Sequence, residues 1–254
     1  MDKKSRRSIV WFMMLFAIFI SSCSIGPCCY DPVQDQQIRY PNDVGVFGDV
    51  RVYTFDPKTI LAKLDQGDTT IFQPLSDSQA PLFPPGTYPW RQQDYMKITS
   101  NLNKVALHDS LEGWSVYDIH FTSQCVDNPV GFDHFLIAYF KTDGDQYLVR
   151  MMEIWPLSKE ADVGVDQHFA RPVPIGWQSL DVKDVKVTAD EALQIAETHG
   201  GKTARESFNN NCSIVVSLDK NWYITYTARN STAYFQVRID PHSDSGAYQI
   251  TSGN

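Results

Sequence analysis

Residues 187–201 read VTADEALQIAETHGG, and the chain from Val187 to Pro241 spells one helix followed by three strands. Thr188 suits the N-cap, because its hydroxyl can accept from an orphan backbone N–H of the first turn. Glu191, three residues on, can reach back to the Thr188 N–H and complete a capping box. Ala189, Ala192, Leu193 and Ala196 follow at helical spacing with Ile195 beside them, so one face is apolar. Gly200 and Gly201 are expected to end the helix, since glycine takes the left-handed C′ conformation without steric cost. The pattern predicts a helix over Ala189–His199.

Strands follow. Ile214, Val216 and Leu218 alternate with Ser213, Val215 and Ser217; Trp222, Ile224 and Tyr226 alternate with Tyr223, Thr225 and Thr227; Phe235, Val237 and Ile239 share one face. Asp219-Lys220-Asn221 and Arg229-Asn230-Ser231 supply turn chemistry between them. Such short connections imply an antiparallel meander with the helix covering its apolar face. Pro241 stops the last strand, because proline cannot donate to a ladder.

With "VTADEALQIAETHGG", "NWYITYTA" and "YFQVRIDPHSDSG" in view, this segment resembles a PepSY domain. That family's helix has the form (T/S)-x-x-E-A-x-x-I-A and precedes a small sheet ending in a D-x-x-T-G-like turn. Here the turn departs from the pattern, with Gly246 six residues after Asp240 and Ser245 where a threonine is usual. The resemblance covers about a quarter of the chain. It implies an extracytoplasmic module of the kind found in propeptides of thermolysin-like peptidases and in lipoproteins, with peptidase inhibition as a role. It implies no catalytic residues.

A looser version of the pattern lies upstream. Asp94 is an N-cap candidate, and Tyr95, Ile98, Leu102 and Val105 form a helical stripe to about Leu107. Trp114–Thr122, Phe132–Phe140 and Tyr147–Trp155 read as strands, with Asp143-Gly144 as a hairpin turn and Pro156 as the stop. The expected fold class is therefore α+β, as two helix-plus-three-stranded antiparallel sheet units at 49–156 and 186–254. Residues 157–185, with Pro172, Pro174 and Gly176, read as a linker or lid. Ahead of the first helix, Val50–Phe55 has strand alternation, Pro57 opens a short helix bearing Ile60, Leu61 and Leu64, and Gln73–Trp90 is a proline-rich loop.

The first 25 residues are organised as a secretory signal. Lys3, Lys4, Arg6 and Arg7 precede Ile9–Ile20, an uncharged run that spans about 18 Å as a helix, short of the roughly 30 Å hydrocarbon core. Ile20-Ser21-Ser22-Cys23 is similar to a bacterial lipobox, which implies a signal peptide at 1–22 and a diacylglyceryl thioether on Cys23. A plain signal peptide and an uncleaved anchor are the alternatives. Residues 23–48 then read as a tether, and the expected address is the extracytoplasmic face of a cell membrane. The formal net charge is −8, and removing the basic leader makes the rest more acidic still. Nucleic acid is excluded as a natural partner for such a surface.

Cysteine use fits that address. Beside Cys23, the residues Cys28, Cys29, Cys125 and Cys212 allow three pairings. Cys28 and Cys29 are adjacent, where a mutual bond would be strained. Cys125 ends the first upstream strand and Cys212 begins the first downstream one, so a Cys125–Cys212 disulfide is expected in an oxidising compartment. Two buried free thiols are the alternative.

No catalytic constellation, metal site or cofactor motif emerges. His120 and His134 lie on neighbouring strands near Asp118 and Asp133, but without the tight spacing of a zinc site a solvated strand face is the preferred reading. Asp240, Ser243 and Asp244 lack calcium-loop spacing and read as a polar turn. There is no G-x-S-x-G, P-loop or G-x-G-x-x-G. Trp114, Trp155, Trp177, Trp222 and Tyr223 could line a groove for a peptide or sugar, with core packing as the commoner use of such residues. The expected function is a lipid-anchored module that binds a protein or peptide, restraining a peptidase through a sheet edge or wedge. The alternative is an envelope hydrolase with an unrecognised site. An acid/base pair in a cleft would favour the latter, and a groove or edge without one the former.

Overall fold

The computed structural model describes residues 50–75, 86–126, 131–144, 146–170, 179–182, 184–244 and 246–253, all within one unit, Gly45–Asn254. The signal peptide, Cys23, Cys28, Cys29, the tether, and Pro172, Pro174, Gly176 and Trp177 lie outside the described residues.

The helix that opens at Thr188 has the expected cap. The Thr188 N–H donates to Glu191 Oε2 at 2.8 Å, and the Glu191 N–H donates to Thr188 Oγ1 at 3.4 Å. This helix, Ala189–Ala196, buries Ala189, Ala192, Leu193 and Ala196. It does not simply stop at the glycines. A π-helical turn, Glu197–Gly201, breaks the axis at Gly200, where φ is +114°, and a further helix runs over Lys202–Ser207. The break follows from contacts on both glycines. A methyl on Gly200 would sit 2.9 Å from the Phe235 ring, and one on Gly201 would run into the Tyr226 hydroxyl and lie 2.8 Å from the Ala196 carbonyl oxygen.

In chain order the described elements are β1 (Val50–Thr54), α1 (Ile60–Asp65), β2 (Gln73–Pro74), α2 (Gln92–Leu107), β3 (Ser115–Gln124), β4 (His134–Asp143), β5 (Gln146–Trp155), β6 (Glu160–Ala170), α3 (Ala189–Ala196), α4 (Lys202–Ser207), β7 (Cys212–Leu218), β8 (Trp222–Ala228), β9 (Tyr234–Ile239) and β10 (Tyr248–Gly253). Helix α2 begins two residues ahead of Asp94. That carboxylate instead accepts the Arg91 N–H from the third helical position, at 2.9 Å.

The expectation of two helix-plus-three-stranded units is corrected by the strand pairing. The strands form a single antiparallel sheet of ten in the order β10-β9-β8-β7-β3-β4-β5-β6-β1-β2. The two meanders meet where β3 pairs with β7, from His120 opposite Ser217 to Gln124 opposite Ser213. An edge strand carries unpaired backbone donors and acceptors, and joining β3 to β7 satisfies both rows at once. Each meander also has a fourth strand. Strand β6 lies within 157–185, which the sequence pattern assigns to a linker, and β10 follows the turn after Pro241. Strands β1 and β2 then extend the β6 side.

One row of residues shows how continuous the sheet is. Ile250, Val237, Ile224, Val216, Phe121, Phe135, Ile154, Ala161, Tyr53 and Pro74 are successive cross-strand partners through all ten strands. Apart from the two ends, members of this row are buried with Leu193, Leu102, Ile98 and Tyr95 in the main core, so the helices cover this face. Cys125 and Cys212, just past the ends of the β3–β7 pairing, are joined by a disulfide with Cα atoms 5.2 Å apart. No helix among the described residues is long and apolar enough to cross a membrane.

Candidate functional site

The opposite face of the sheet carries the other set of alternating side chains. Its central row runs Gln249, Arg238, Tyr223, Ser217, His120, Leu136, Glu153, Asp162 and Val52. Over β7–β9 the residues here are small, neutral or aromatic apart from Arg238, with Gln236 donating to Thr225 Oγ1 at 2.9 Å. Over β3–β6 the character changes. Leu136, Ala138, Tyr117, Tyr147 and Val149 form a small second apolar cluster, and beside it lie two histidines and several carboxylates.

The polar group is built by strand register. His134 Nε2 is 3.1 Å from Glu153 Oε2, and the His134 ring stacks on Trp155 with centroids 4.9 Å apart and planes 17° from parallel. His120 lies edge-on to His134 at 6.1 Å, with its Nδ1 3.6 Å from Asp118 Oδ1. Thr122 Oγ1 donates to Asp133 Oδ1 at 2.7 Å. Asp162 stands directly across from Glu153, and Glu160 directly across from Trp155. Burial first, then Glu153 and Glu160, push the Asp162 carboxyl up to about 6. Burial also raises the Glu160 carboxyl.

Against this group opens a groove of about 200 Å³ lined by Thr122, Gln124, Asp133, His134, Trp155, Leu157 and Ser158. Among described side chains, the away-facing positions of β3–β6 hold no lysine or arginine. Arg150 points into the helix-covered side instead, where it donates to Asn103 Oδ1 at 2.7 Å and lies 4.1 Å above the Trp114 ring.

Of the residues singled out from sequence, His120, His134, Asp118, Asp133 and Trp155 come together here. Trp222 is fully buried, with its Nε1 donating to the Val187 carbonyl at 2.7 Å. Tyr223 is half-buried on β8, far along the same face. His108 caps α2, His199 stacks on Tyr248, and His242 Nδ1 is 3.0 Å from the Asp184 carbonyl oxygen. Asp240 accepts the His242 N–H, while Asp244 pairs with Lys186 at 2.7 Å. Among the described residues no three His, Cys, Asp or Glu side chains are placed to hold a metal ion.

Sequence reasoning missed Glu153, Glu160, Asp162 and Gln124. The signal was present in the period-two run Glu160, Ala161, Asp162, Val163, which places both acids on one strand face and both apolar residues on the other. No family model, curated protein or solved structure matches this chain.

Proposed function

We propose that this chain is an extracytoplasmic binding module, lipid-anchored through Cys23, that takes a basic segment of a protein or peptide partner in the groove beside Trp155. The observation that supports this reading is the groove itself. Its lining holds the Trp155 ring, the Asp133 carboxylate and His134, whose Nε2 contacts the Glu153 carboxylate across from Asp162, with no lysine or arginine on the same face of β3–β6 among described side chains. A lysine or arginine side chain arriving there gains charge-assisted hydrogen bonds and packs its stem on apolar surface. In this reading the module is not an enzyme, and restraint of a peptidase is one role that such capture would serve. The PepSY-like segment accords with that role.

Binding of an Arg/Lys-rich peptide, followed by tryptophan fluorescence, tests the proposal. Affinity should fall as salt rises and drop roughly tenfold or more in Glu153→Gln. A peptide that fails to bind, or binds equally well to the variant, would overturn it. For the address, Cys23→Ala should abolish lipid labelling and release the protein from membranes. Retention of that variant after a salt wash would mean an uncleaved helix holds it.

A second reading rests on the Glu153–Asp162 pair. Two facing carboxylates, one with its proton affinity raised, form the acid/base arrangement used in glycoside hydrolysis. Turnover of an envelope glycan, lost in Asp162→Asn, would establish it.

A further inference from the structure

The two edges of the sheet are not alike. One ends in β2, two residues long with Pro74 removing a backbone donor. Short length and proline are devices that block further strand pairing. The other ends in β10, six residues reading YQITSG, with no charge and no proline. Among the described residues β10 pairs only with β9, along its whole length. Among the described residues, three of the four exposed large hydrophobics lie at or beside this edge: Tyr234 on β9, and Tyr248 at 43% and Ile250 at 49% exposure on β10. The fourth, Val50, is on β1.

We propose that β10 is a homodimer interface, in which a second copy of the chain adds its own β10 antiparallel to the first across a two-fold axis. In the register that sets Gln249 opposite Gln249 of the second copy, Tyr248 faces Ile250 of the second copy, and the symmetry makes that contact twice. Aromatic against β-branched is a favourable cross-strand pair. Tyr248 is already positioned for it, since its ring stacks on His199 with centroids 3.9 Å apart.

Charge selects this occupant over a foreign basic strand. The acids of the polar group at the groove begin four strands away, with Asp118 on β3, roughly 19 Å at the usual strand spacing. That exceeds the Debye length of about 8–10 Å at physiological salt, so the groove does not draw a cation to β10. The edge strand is itself uncharged, as is the same strand of a second copy, and the charged side chain on the neighbouring β9 is the cation Arg238, opposite Gln249, which disfavours a basic strand at this edge. The two chains each carry a formal −8 and repel one another elsewhere. Self-association therefore strengthens as salt rises, the reverse of what the groove requires of a basic partner.

Sedimentation equilibrium of the full chain in mild non-ionic detergent, over a range of protein and salt concentration, tests this. A monomer–dimer equilibrium is expected that tightens with salt, weakens roughly tenfold or more in Ile250→Lys, and is unchanged in Val50→Lys at the opposite side of the sheet. Both positions are exposed, and thermal melts of the variants confirm folding. A monomer throughout, association that survives Ile250→Lys, or association that weakens with salt would each overturn the proposal. Amide exchange read at β10 separates the other occupant. Protection that appears only with an added basic peptide, while the chain stays monomeric, assigns the edge to a foreign strand and also overturns it.

Discussion

Gln92 and Asp190 cap each other's helices. The Gln92 N–H, at the start of α2, donates to Asp190 Oδ1 at 3.0 Å, while Gln92 Oε1 accepts the Ala189 N–H, at the start of α3, at 2.7 Å. Each helix start has donors with no partner inside its own helix, and here each side chain serves the other's. The exchange fixes the two helix N-termini together on one side of the sheet. Asp190→Ala and Gln92→Ala should each lower stability by about 0.5–2 kcal/mol in urea denaturation. The double variant should lose less than the sum of the two, because losing either bond loosens the joint that positions the other. Strict additivity would show that the caps act independently.

Arg205 is buried behind the π-helical turn. Its Nε and Nη2 grip Glu197 at 3.0 Å and 2.6 Å, and Nη1 donates to the Val126 carbonyl at 2.6 Å, just past Cys125. Tyr226 donates its hydroxyl to the same Glu197 at 2.8 Å. Arg205→Met should cost about 2–4 kcal/mol, toward the low end for breaking a buried pair, because it leaves the half-buried Glu197 carboxylate without its cation. Adding Glu197→Leu should recover part of that loss in thermal denaturation. A larger loss in the double variant would mean that Glu197 matters mainly to Tyr226.

Gly201→Ala tests the close approach of α4 to the sheet. The new methyl would meet the Tyr226 hydroxyl and the Ala196 carbonyl oxygen. The loss expected for overpacking a close contact is about 1–3 kcal/mol. Tyr226→Phe in the same chain should relieve some of it by removing the hydroxyl. A neutral Gly201→Ala, measured by urea midpoint, would show that the turn has room to move.

Asp162 predicts a pH dependence with a defined sign. Its folded carboxyl is raised to about 6, by burial above all and then by Glu153 and Glu160. The folded state thus holds this proton more tightly than the unfolded chain. Stability falls as pH climbs from the ordinary carboxylate range near 3.8 to about 6, and the penalty is complete above that. Asp162→Asn should therefore stabilise the protein near neutral pH by on the order of 1–2 kcal/mol, allowing for its partial solvation. The gain should fade on acidification through that window. Denaturation of both proteins across the same pH series checks the sign.

Local chemistry carried much of this structure. The Thr188–Glu191 cap, the helical stripes of α2 and α3, and the alternation of β7, β8 and β9 depend on neighbours within a few residues, so spacing alone determined them. Proline and glycine placed most of the turns for the same reason. The Cys125–Cys212 partnership was legible as one of three pairings, because each cysteine flanks a first strand. What spacing could not reach was which strands share an edge. An isolated meander and half of a wider sheet have the same period of two, and the β3–β7 register joins residues roughly ninety positions apart. Strand β6 was hidden by the prolines that follow it in 157–185. The candidate site depended on that missing information. Glu153, Asp162 and His134 come from three strands, and only hydrogen-bonded register sets Glu153 opposite Asp162 and within reach of His134. The caps between Gln92 and Asp190 lie equally beyond local reading, since each side chain finds its backbone partner nearly a hundred residues away. Short-range pattern determined the elements, and long-range hydrogen bonding decided which of their faces and edges meet.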